Sequence, residues 1–170
     1  MTSLRIESMA PRHIDAVRAI DEAVYPNPWS VETWRKELGG ADRHHLVAID
    51  DDRLVAHAGL LFVLDEAHVT TVAVLPQRQG EGIATALLLE LLAEARRHGS
   101  AAATLEVRAA DERPQQLYAR FGFRPVGARK GYYSDPDDDG IVMWLTELQS
   151  DQTASRLAEL TAALASAPEA

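Results

Sequence analysis

Apolar residues after position 82 recur every three or four positions, which is the spacing of one face of a helix. The residues of this stripe are Ile83, Leu87, Leu88, Leu91, Leu92 and Ala95. The pattern predicts a long amphipathic helix that Gly99 ends. Residues 104–108 alternate between apolar and polar side chains, as in a strand. Asp111 then begins another helix, which Gly122 ends.

Shorter segments before residue 82 predict two more helices and several strands. The first helix lies between Pro11 and Pro26, and the second begins at Ser30, a favourable N-cap. The apolar and β-branched segments that predict strands are residues 4–9, 45–49, 54–64, 69–74, 123–126 and 141–145. The two Asp residues at positions 51 and 52 predict a hairpin turn.

The predicted elements follow the order β, α, α, β, β, β, α, β, α, β, β. We therefore expect an α/β (α+β) fold with one mixed, twisted sheet of about seven strands and helices on both faces. Residues 1–149 form this domain in our prediction, and residues 150–170 form an Ala- and Leu-rich tail. Leu157, Leu160 and Leu164 predict a helix in the tail that docks on the domain or on a partner. Residues 165–170 are predicted to be disordered.

Composition excludes several kinds of chemistry. The 170 residues suffice for one domain, and 46% of them are hydrophobic, as in globular proteins. The absence of Cys excludes disulfides, thiolate metal sites and an acyl-cysteine intermediate. The six His residues show no metal-ligand spacing, so we expect no metal.

Charge and hydropathy restrict the partners. The net charge of -9 argues against nucleic acid as a partner. The same charge would attract a basic substrate, or it only keeps the protein in solution. No segment has the length and apolarity of a signal peptide or a membrane span, so we expect no membrane association. Because the chain has no Cys, the cytoplasm is the simplest location, although a secreted protein without disulfides could share this feature.

The strand predicted at residues 69–74 leads through Pro76 and a glycine-containing turn into the long helix. Such a turn directs free backbone N–H groups and the positive end of the helix dipole at one point, where a diphosphate can bind. Gly80 and Gly82 have no side chains to hold a phosphate away. The spacing matches neither a Walker loop nor the dinucleotide fingerprint, and alone it also fits an ordinary strand-to-helix turn.

Gln79-x-x-Gly82-x-Ala84 matches the Q/R-x-x-G-x-G/A signature of the GNAT superfamily of acetyltransferases, which the chain resembles over about residues 3–147. Further matching segments in family order are residues 64–67, 104–108, 117–118, 122–123 and 132–133. Residues 28–30, Pro-Trp-Ser, are similar to a motif of the RimI-type ribosomal-protein alanine N-acetyltransferases. The resemblance implies the GNAT fold, whose sheet is splayed between its central parallel strands.

The resemblance implies acetyl-CoA as the acetyl donor, with its diphosphate on the amides of residues 80–85 and its pantetheine arm along the edge of the strand at 72–74. The implied donor-binding residues are Val72, Ala73, Val74, Gln79, Gly80, Glu81, Gly82, Ile83, Ala84, Thr85, Asp111 and Tyr118. Because a carboxylate beside a diphosphate is unfavourable, we expect Glu81 to point to solvent. Asp111 replaces a family Asn and could instead be only a helix N-cap.

Acetyl transfer to an amine needs a base, a group that stabilises the oxyanion, and a proton for the departing thiolate. By resemblance to the RimI-type enzymes, Glu106 is the base and Tyr118 is the acid. The N–H of Val74 would hold the oxyanion, because GNAT strands leave this group free at a bulge. Without the resemblance, Glu106 could pair with Arg108 or another surface base on a sheet face, and Tyr118 could be a core aromatic residue.

The same branch implies that Trp29, Tyr132 and Tyr133 line the groove for the acceptor. Trp29 could equally anchor the core. Residues 135–139 form an acidic loop that could attract a basic N-terminal segment, or could be only a solvated hairpin loop.

The resemblance therefore implies an acyltransferase that moves acetyl from acetyl-CoA to the N-terminal amine of a protein, directly and in a ternary complex. The implied acceptor is a basic protein or peptide N-terminus, in particular a ribosomal protein, and we expect a monomer or weak dimer. One alternative is a small-molecule amine acetyltransferase. Another is a non-catalytic acyl-CoA-binding module, although binding alone would need neither Glu106 nor Tyr118.

Overall fold

A seven-stranded mixed sheet organises the protein, whose computed structural model describes residues 4–166. Its strands are β1 Leu4–Ser8, β2 Arg43–Asp50, β3 Arg53–Val63, β4 Glu66–Val74, β5 Ala102–Arg108, β6 Arg124–Tyr133 and β7 Asp138–Leu145. The helices are α1 Ile14–Val24, α2 Val31–Leu38, α3 Ile83–His98, α4 Glu112–Phe121 and α5 Asp151–Ser166. The strand order is β1-β2-β3-β4-β5-β7-β6. The predicted order of elements and the mixed sheet are confirmed.

The centre of the sheet is splayed, as expected. Strands β4 and β5 are its parallel pair, and they pair only where residues 66–68 of β4 lie beside residues 102–104 of β5. Beyond this point β5 pairs with β7 alone, up to Arg108, while β4 pairs with β3 alone, up to Val74. The two strands therefore diverge and leave an open edge on each side of a cleft.

Helices cover both faces of the sheet, and strand β2 shows this clearly. Leu46 and Ala48 face the larger core, which β2 shares with α3, α4 and α5. Val47 and Ile49 face a smaller core, which Trp34 of α2 and Val17 of α1 complete. Both faces of β2 are apolar because successive side chains point to opposite sides of the sheet.

Local sequence determines the turns and several helix ends. Ser30 caps α2, and its hydroxyl accepts a hydrogen bond from the N–H of Thr33 (3.1 Å), as predicted. The hairpin between β2 and β3 turns at Asp51 and Asp52, whose φ angles are 49° and 64°. Two positive φ angles in succession fit the tight turn that the right-handed twist of a hairpin requires.

Strand β6 is much longer than the predicted segment 123–126, since it extends to Tyr133. Nine of its ten residues are exposed, because β6 is the edge strand of the sheet. No apolar alternation marks such a strand in the sequence. Tyr132 and Tyr133 therefore lie at the end of a strand.

The tail contains helix α5, which packs on α3 and α4 of the domain. Leu157 and Thr153 are buried in this contact. Ala165 and Ser166 belong to the helix, so the predicted disorder is wrong for these two residues. Residues 167–170 lie outside the described residues. The division into a domain at 1–149 and a tail at 150–170 stays a prediction.

Leu157→Ala is expected to lower the free energy of unfolding by about 2 kcal/mol, because it leaves a cavity among buried apolar side chains. Equilibrium unfolding in urea measures this change. The matched control is Leu64→Ala, since the Leu64 side chain is 95% exposed and its loss should leave the midpoint unchanged. Equal midpoints for Leu157→Ala and the wild type would mean that α5 contributes little to the fold.

Candidate functional site

Two clefts open along the splayed edges of the sheet. The loop cleft, of about 760 Å³, surrounds the turn before α3. The tyrosine cleft, of about 530 Å³, is lined by Trp29, Glu106, Tyr132 and Tyr133 among others. Val72, Pro114 and Tyr118 line both clefts. A ligand in one cleft can therefore meet a ligand in the other beside Tyr118.

The loop cleft has the features of an anion site. Gly80 and Gly82 both have φ of 85°, a conformation that side chains rarely adopt. Gly82 is the N-cap of α3, and no side chain caps this helix, so its first amides are available to a ligand. The guanidinium of Arg113 lies 3.7 Å from the position that a Cβ on Gly80 would take. Amides, helix dipole and cation thus converge at the turn.

Most of the predicted donor-binding residues line the loop cleft. They are Val72, Val74, Gln79, Gly80, Gly82, Ile83, Ala84, Thr85 and Tyr118. Ala73 is buried and pairs with His57 of β3, and neither Glu81 nor Asp111 lines this cleft. Sequence reasoning missed further lining residues, which come from α4 and α5: Arg113, Gln116, Leu117, Arg120, Leu160, Ala163 and Leu164.

Glu81 is exposed, and Arg78 binds its carboxylate. The Nε of Arg78 donates to both carboxylate oxygens of Glu81, at 3.0 and 3.1 Å. Arg78 also donates to Asp50 (2.6 Å), and these two carboxylates hold the pKa of Arg78 above its usual range. The ion pair offsets the negative charge of Glu81 near the turn before α3.

The open edge of β4 presents free backbone N–H groups. Leu75 donates its N–H to the carbonyl of Val55 in β3 (2.9 Å). Because N–H directions alternate along a strand, those of Val74 and Val72 point away from β3, toward the edge that β5 leaves open. The Gln79 side chain donates to the Val74 carbonyl at this edge (3.3 Å). Strand β4 can therefore accept an extended ligand there.

The bulge of β4 does not lie at Val74. Gly59 of β3 pairs with Thr71 and Leu60 pairs with Val69, so Thr70 is the extra residue. The prediction that a bulge frees the Val74 N–H is wrong. That group is free because β5 has diverged from β4. Val74 lines only the loop cleft, whereas Val72 lines both clefts and so lies where they meet.

Glu106 lies on β5, half-buried, and lines the tyrosine cleft. In the described part of the chain its carboxylate forms no hydrogen bond or ion pair. Arg108 donates instead to the carbonyls of Ser134 (3.0 Å) and Pro136 (2.7 Å) and stacks on the ring of Tyr133. The alternative in which Glu106 pairs with Arg108 is therefore wrong.

Tyr118 packs in the core and also lines both clefts. Its ring packs edge-on against Phe123, with centroids 5.9 Å apart, and its side chain also borders both clefts. Burial raises the pKa of the Tyr118 hydroxyl above its ordinary value, and Tyr25 and Tyr133 add to the shift. The hydroxyl therefore keeps its proton at neutral and moderately alkaline pH and can donate it in the cleft.

Aromatic side chains form the outer walls of the tyrosine cleft. Trp29 is 40% exposed and packs edge-on against the buried Trp34, so it anchors to the core and also lines the cleft. Tyr132 packs edge-on against Tyr133. Burial, with Tyr132 and Glu106, raises the pKa of Tyr133 to about 12, although Arg108 opposes this shift.

Sequence reasoning missed a group of polar contacts at this cleft, of which those of Asp21 are buried. Asp21 of α1 binds the Nε2 of His57 (2.7 Å) and accepts from the indole of Trp34 (3.3 Å). Tyr25, at the end of α1, shares a hydrogen bond with Thr71 of β4 (2.8 Å). Asp21 and Tyr25 both line the cleft. The only signal in the sequence was the polar Asp21 among the apolar residues of a helix face.

Asp111 takes the N-cap position of α4, but its side chain makes no cap hydrogen bond. It lines the tyrosine cleft rather than the loop cleft. The structure therefore supports neither a capping role for Asp111 nor its predicted place beside the donor-binding turn.

The acidic loop at residues 135–139 has two distinct parts. Asp138 accepts from the N–H of Ala110 (3.0 Å), and Asp139 accepts from the N–H of Gly131 (2.9 Å). These two residues stabilise the hairpin. Asp135 and Asp137 are exposed, and they follow Ser134, which lines the tyrosine cleft.

Among residues 4–166, no three His, Asp or Glu side chains come close enough to hold a metal ion. No helix in the same range is long and apolar enough to cross a membrane.

Comparisons with known proteins agree with this geometry. The model of the acetyltransferase (GNAT) family matches residues 14–123. The ribosomal protein bS18-alanine N-acetyltransferase of Escherichia coli (strain K12) is 32% identical over 143 residues, which are 82% of this chain and 95% of that protein. A similar solved structure is the crystal structure of the ribosomal-protein-S18-alanine N-acetyltransferase from Escherichia coli. It has a TM-score of 0.78 and 31% identity, and the match covers 85% of this chain and 94% of that chain.

A more distant structure shares the fold. Arabidopsis thaliana NAA60 in complex with acetyl-CoA has a TM-score of 0.77 at 18% identity, over 84% of this chain and 98% of its own. The family match covers more than half of this chain, and the Escherichia coli relative matches most of it. The chain therefore belongs to the GNAT family of acetyltransferases and is an enzyme.

Proposed function

We propose that this protein transfers an acetyl group from acetyl-CoA to the N-terminal amine of a protein. The observation that carries this proposal is the position of Tyr118 at the junction of the two clefts, with the free carboxylate of Glu106 in one cleft and the uncapped turn before α3 in the other. A donor and an acceptor can then approach from opposite sides, as direct transfer in a ternary complex requires.

The loop cleft suits acetyl-CoA. The amides of residues 82–85 and the cation of Arg113 match a diphosphate, and a side chain at Gly80 or Gly82 would intrude on the cradle. The open edge of β4 matches the amides of a pantetheine arm, which would place the thioester near Tyr118. A protein of the same fold has been solved with acetyl-CoA bound, which supports the choice of donor.

The chemistry then assigns one role to each group. The acceptor amine attacks the thioester carbonyl carbon, and its nitrogen loses a proton to Glu106, directly or through water. The backbone N–H of Val72 stabilises the oxyanion, because Val72 lies at the junction of the clefts and Val74 lies beyond it. The carbon–sulfur bond breaks, and the departing thiolate takes the proton of the Tyr118 hydroxyl. Solvent later restores both protonation states.

The tyrosine cleft suits the end of a peptide. Trp29, Tyr132 and Tyr133 form its walls. The exposed Asp135 and Asp137 follow Ser134 of the cleft lining in the chain, and their negative charge favours a basic N-terminal segment. The relative from Escherichia coli acts on ribosomal protein bS18, so we propose a ribosomal protein as the acceptor and hence a cytoplasmic enzyme. A monomer or weak dimer suffices, since one chain supplies both clefts.

The test is a panel of acceptors incubated with labelled acetyl-CoA. We expect label in peptides that begin with Ala or Ser and continue with basic residues, and little label in small amines or in peptides with a blocked N-terminus. Label in small amines alone would make the protein a small-molecule acetyltransferase. Binding of acetyl-CoA without transfer to any acceptor would make it an acyl-CoA-binding module.

Gly82→Asp is expected to weaken acetyl-CoA binding by more than about tenfold, since it adds a side chain and a negative charge at the phosphate turn. Calorimetric titration and the ligand-induced rise in thermal midpoint both measure this loss. The matched control is Gly99→Asp at the other end of α3, where φ is 88° and no atom lies within 4 Å of the new Cβ. Both variants carry the same backbone strain, so only the first should lose the ligand. Equal binding by both would remove the turn from the donor site.

A further inference from the structure

Helix α5 reaches the loop cleft with its last two turns. Leu160, Ala163 and Leu164 line the cleft, and the Cδ1 of Leu164 lies 2.8 Å from the position that a Cβ on Gly82 would take. The Escherichia coli relative is covered over 95% of its length by a match that includes only 82% of this chain. This chain therefore has residues without a counterpart there.

The first half of α5 is fixed to the domain. Thr153 is buried and donates to the carbonyl of Glu147 (2.6 Å), and Leu157 packs in the core. Arg96 of α3 donates to the carbonyl of Leu148, just before the helix (2.8 Å). The guanidinium of Arg156 lies against Gly122 at the end of α4. These contacts fix the helix to the domain, so it acts as a wall of the cleft and not as a hinged lid.

The cleft stays open with α5 in place. Its volume of about 760 Å³ is within the range of small-molecule and cofactor sites. Leu160 and Leu164 are half-buried and offer apolar surface to the cleft. Arg113 and Arg120 of α4 also line it. Apolar surface and cations together suit a nucleotide, which has a flat base and phosphates.

Acetyl-CoA carries its thioester, its diphosphate and its nucleotide in that order along its length. This order decides which part of the donor contacts α5. The thioester must lie near Tyr118, where the clefts join, and the diphosphate at the turn of residues 80–85. The nucleotide follows the diphosphate and must leave the turn on the side away from Tyr118. Helix α5 lines the loop cleft only, and its contact with Gly82 places it at the turn itself.

We infer that the last two turns of α5 are a wall of the donor site and that Leu160 and Leu164 contact the adenosine end of the coenzyme. This inference rests on the proposed donor site. It makes the tail a determinant of donor affinity, with no part in the chemistry at Glu106 and Tyr118.

The experiment compares binding of acetyl-CoA by titration calorimetry in the wild type and in variants of α5. Leu164→Ala removes apolar contact area and should raise Kd about fivefold. Leu164→Asp adds charge beside the diphosphate and should raise Kd more than about tenfold. The matched control is Ala162→Asp, which places the same charge in the same turn on an exposed position outside the cleft.

A second probe locates the contact. Adenosine 3′,5′-bisphosphate, which has the nucleotide but no pantetheine, should lose as much affinity in Leu164→Ala as acetyl-CoA does. Loss of acetyl-CoA affinity without loss of nucleotide affinity would overturn the assignment to the adenosine end.

Two other outcomes would also overturn the inference. Unchanged affinity in both Leu164 variants would mean that α5 only packs on the domain, and tighter binding would mean that it covers the turn and competes with the donor. If Gly82→Asp loses acetyl-CoA while the Leu164 variants keep it, the proposed function survives and only this inference fails. If the wild type itself binds no acetyl-CoA, both fail.

Discussion

Glu106→Gln is expected to slow acetyl transfer by about 10²–10⁴-fold, the usual cost of losing a general base. The amide keeps the size of the carboxylate but cannot accept a proton. Acetyl-CoA should bind with unchanged affinity, because Glu106 does not line the loop cleft. The residual rate should rise with pH and level off above about 8, where the α-amino group of the acceptor is already neutral.

Single-turnover kinetics with a good peptide acceptor, from pH 6 to 9.5 or so, measure this dependence on the acceptor amine. The matched control is Glu112→Gln, on the exposed first turn of α4 and outside both clefts, which should turn over at the wild-type rate. A normal rate for Glu106→Gln with chemistry limiting would make Glu106 structural. Another carboxylate or bulk water would then remove the proton.

The parts of the site that are contiguous in sequence could be predicted from it. The turn at residues 79–85 joins a strand to an amphipathic helix, so its glycines, free amides and dipole all follow from local pattern. Glu106 could be identified because a charged residue interrupts an apolar strand. In both cases the signal and the structure involve the same few residues.

The edge of the sheet could not be predicted in the same way. Residues 127–133 of β6 have no alternation of apolar and polar side chains, because both faces of an edge strand can be exposed. The strand exists because β7 offers backbone partners to it, and that pairing is invisible to periodicity. The position of Tyr132 and Tyr133 at the end of this strand therefore emerged only from the structure.

The remaining differences between the predicted and the observed site come from contacts between segments that are distant in the sequence. Whether the Val72 or the Val74 N–H faces the junction depends on how far along β4 the two clefts meet, and the strand sequence has no signal for that position. Arg113 and Leu164 reach the turn before α3 from segments far along the chain. Their side chains are unremarkable on the surface of their own helices, so only the packing of α4 and α5 identifies them.

Tyr118→Phe tests the other proton transfer and should behave differently with pH. We expect turnover to fall by about 10²-fold, the lower end of the range for a general acid, because a thiolate leaves more readily than an amine or alkoxide. The Phe ring can keep the edge-on contact with Phe123, so the thermal midpoint should stay near that of the wild type. Acetyl-CoA affinity should change little.

The pH dependence separates this variant from Glu106→Gln. Burial raises the pKa of Tyr118, so the wild-type hydroxyl holds its proton throughout the assay range. Raising the pH adds free amine but supplies no proton to the sulfur, and it should therefore leave the defect of Tyr118→Phe, relative to the wild type, unchanged. Tyr25→Phe, which removes a hydroxyl bonded to Thr71, is the matched control and should keep most of the rate. Recovery of Tyr118→Phe at high pH would show that Tyr118 assists deprotonation of the amine, and the roles of acid and base in this site would have to be exchanged.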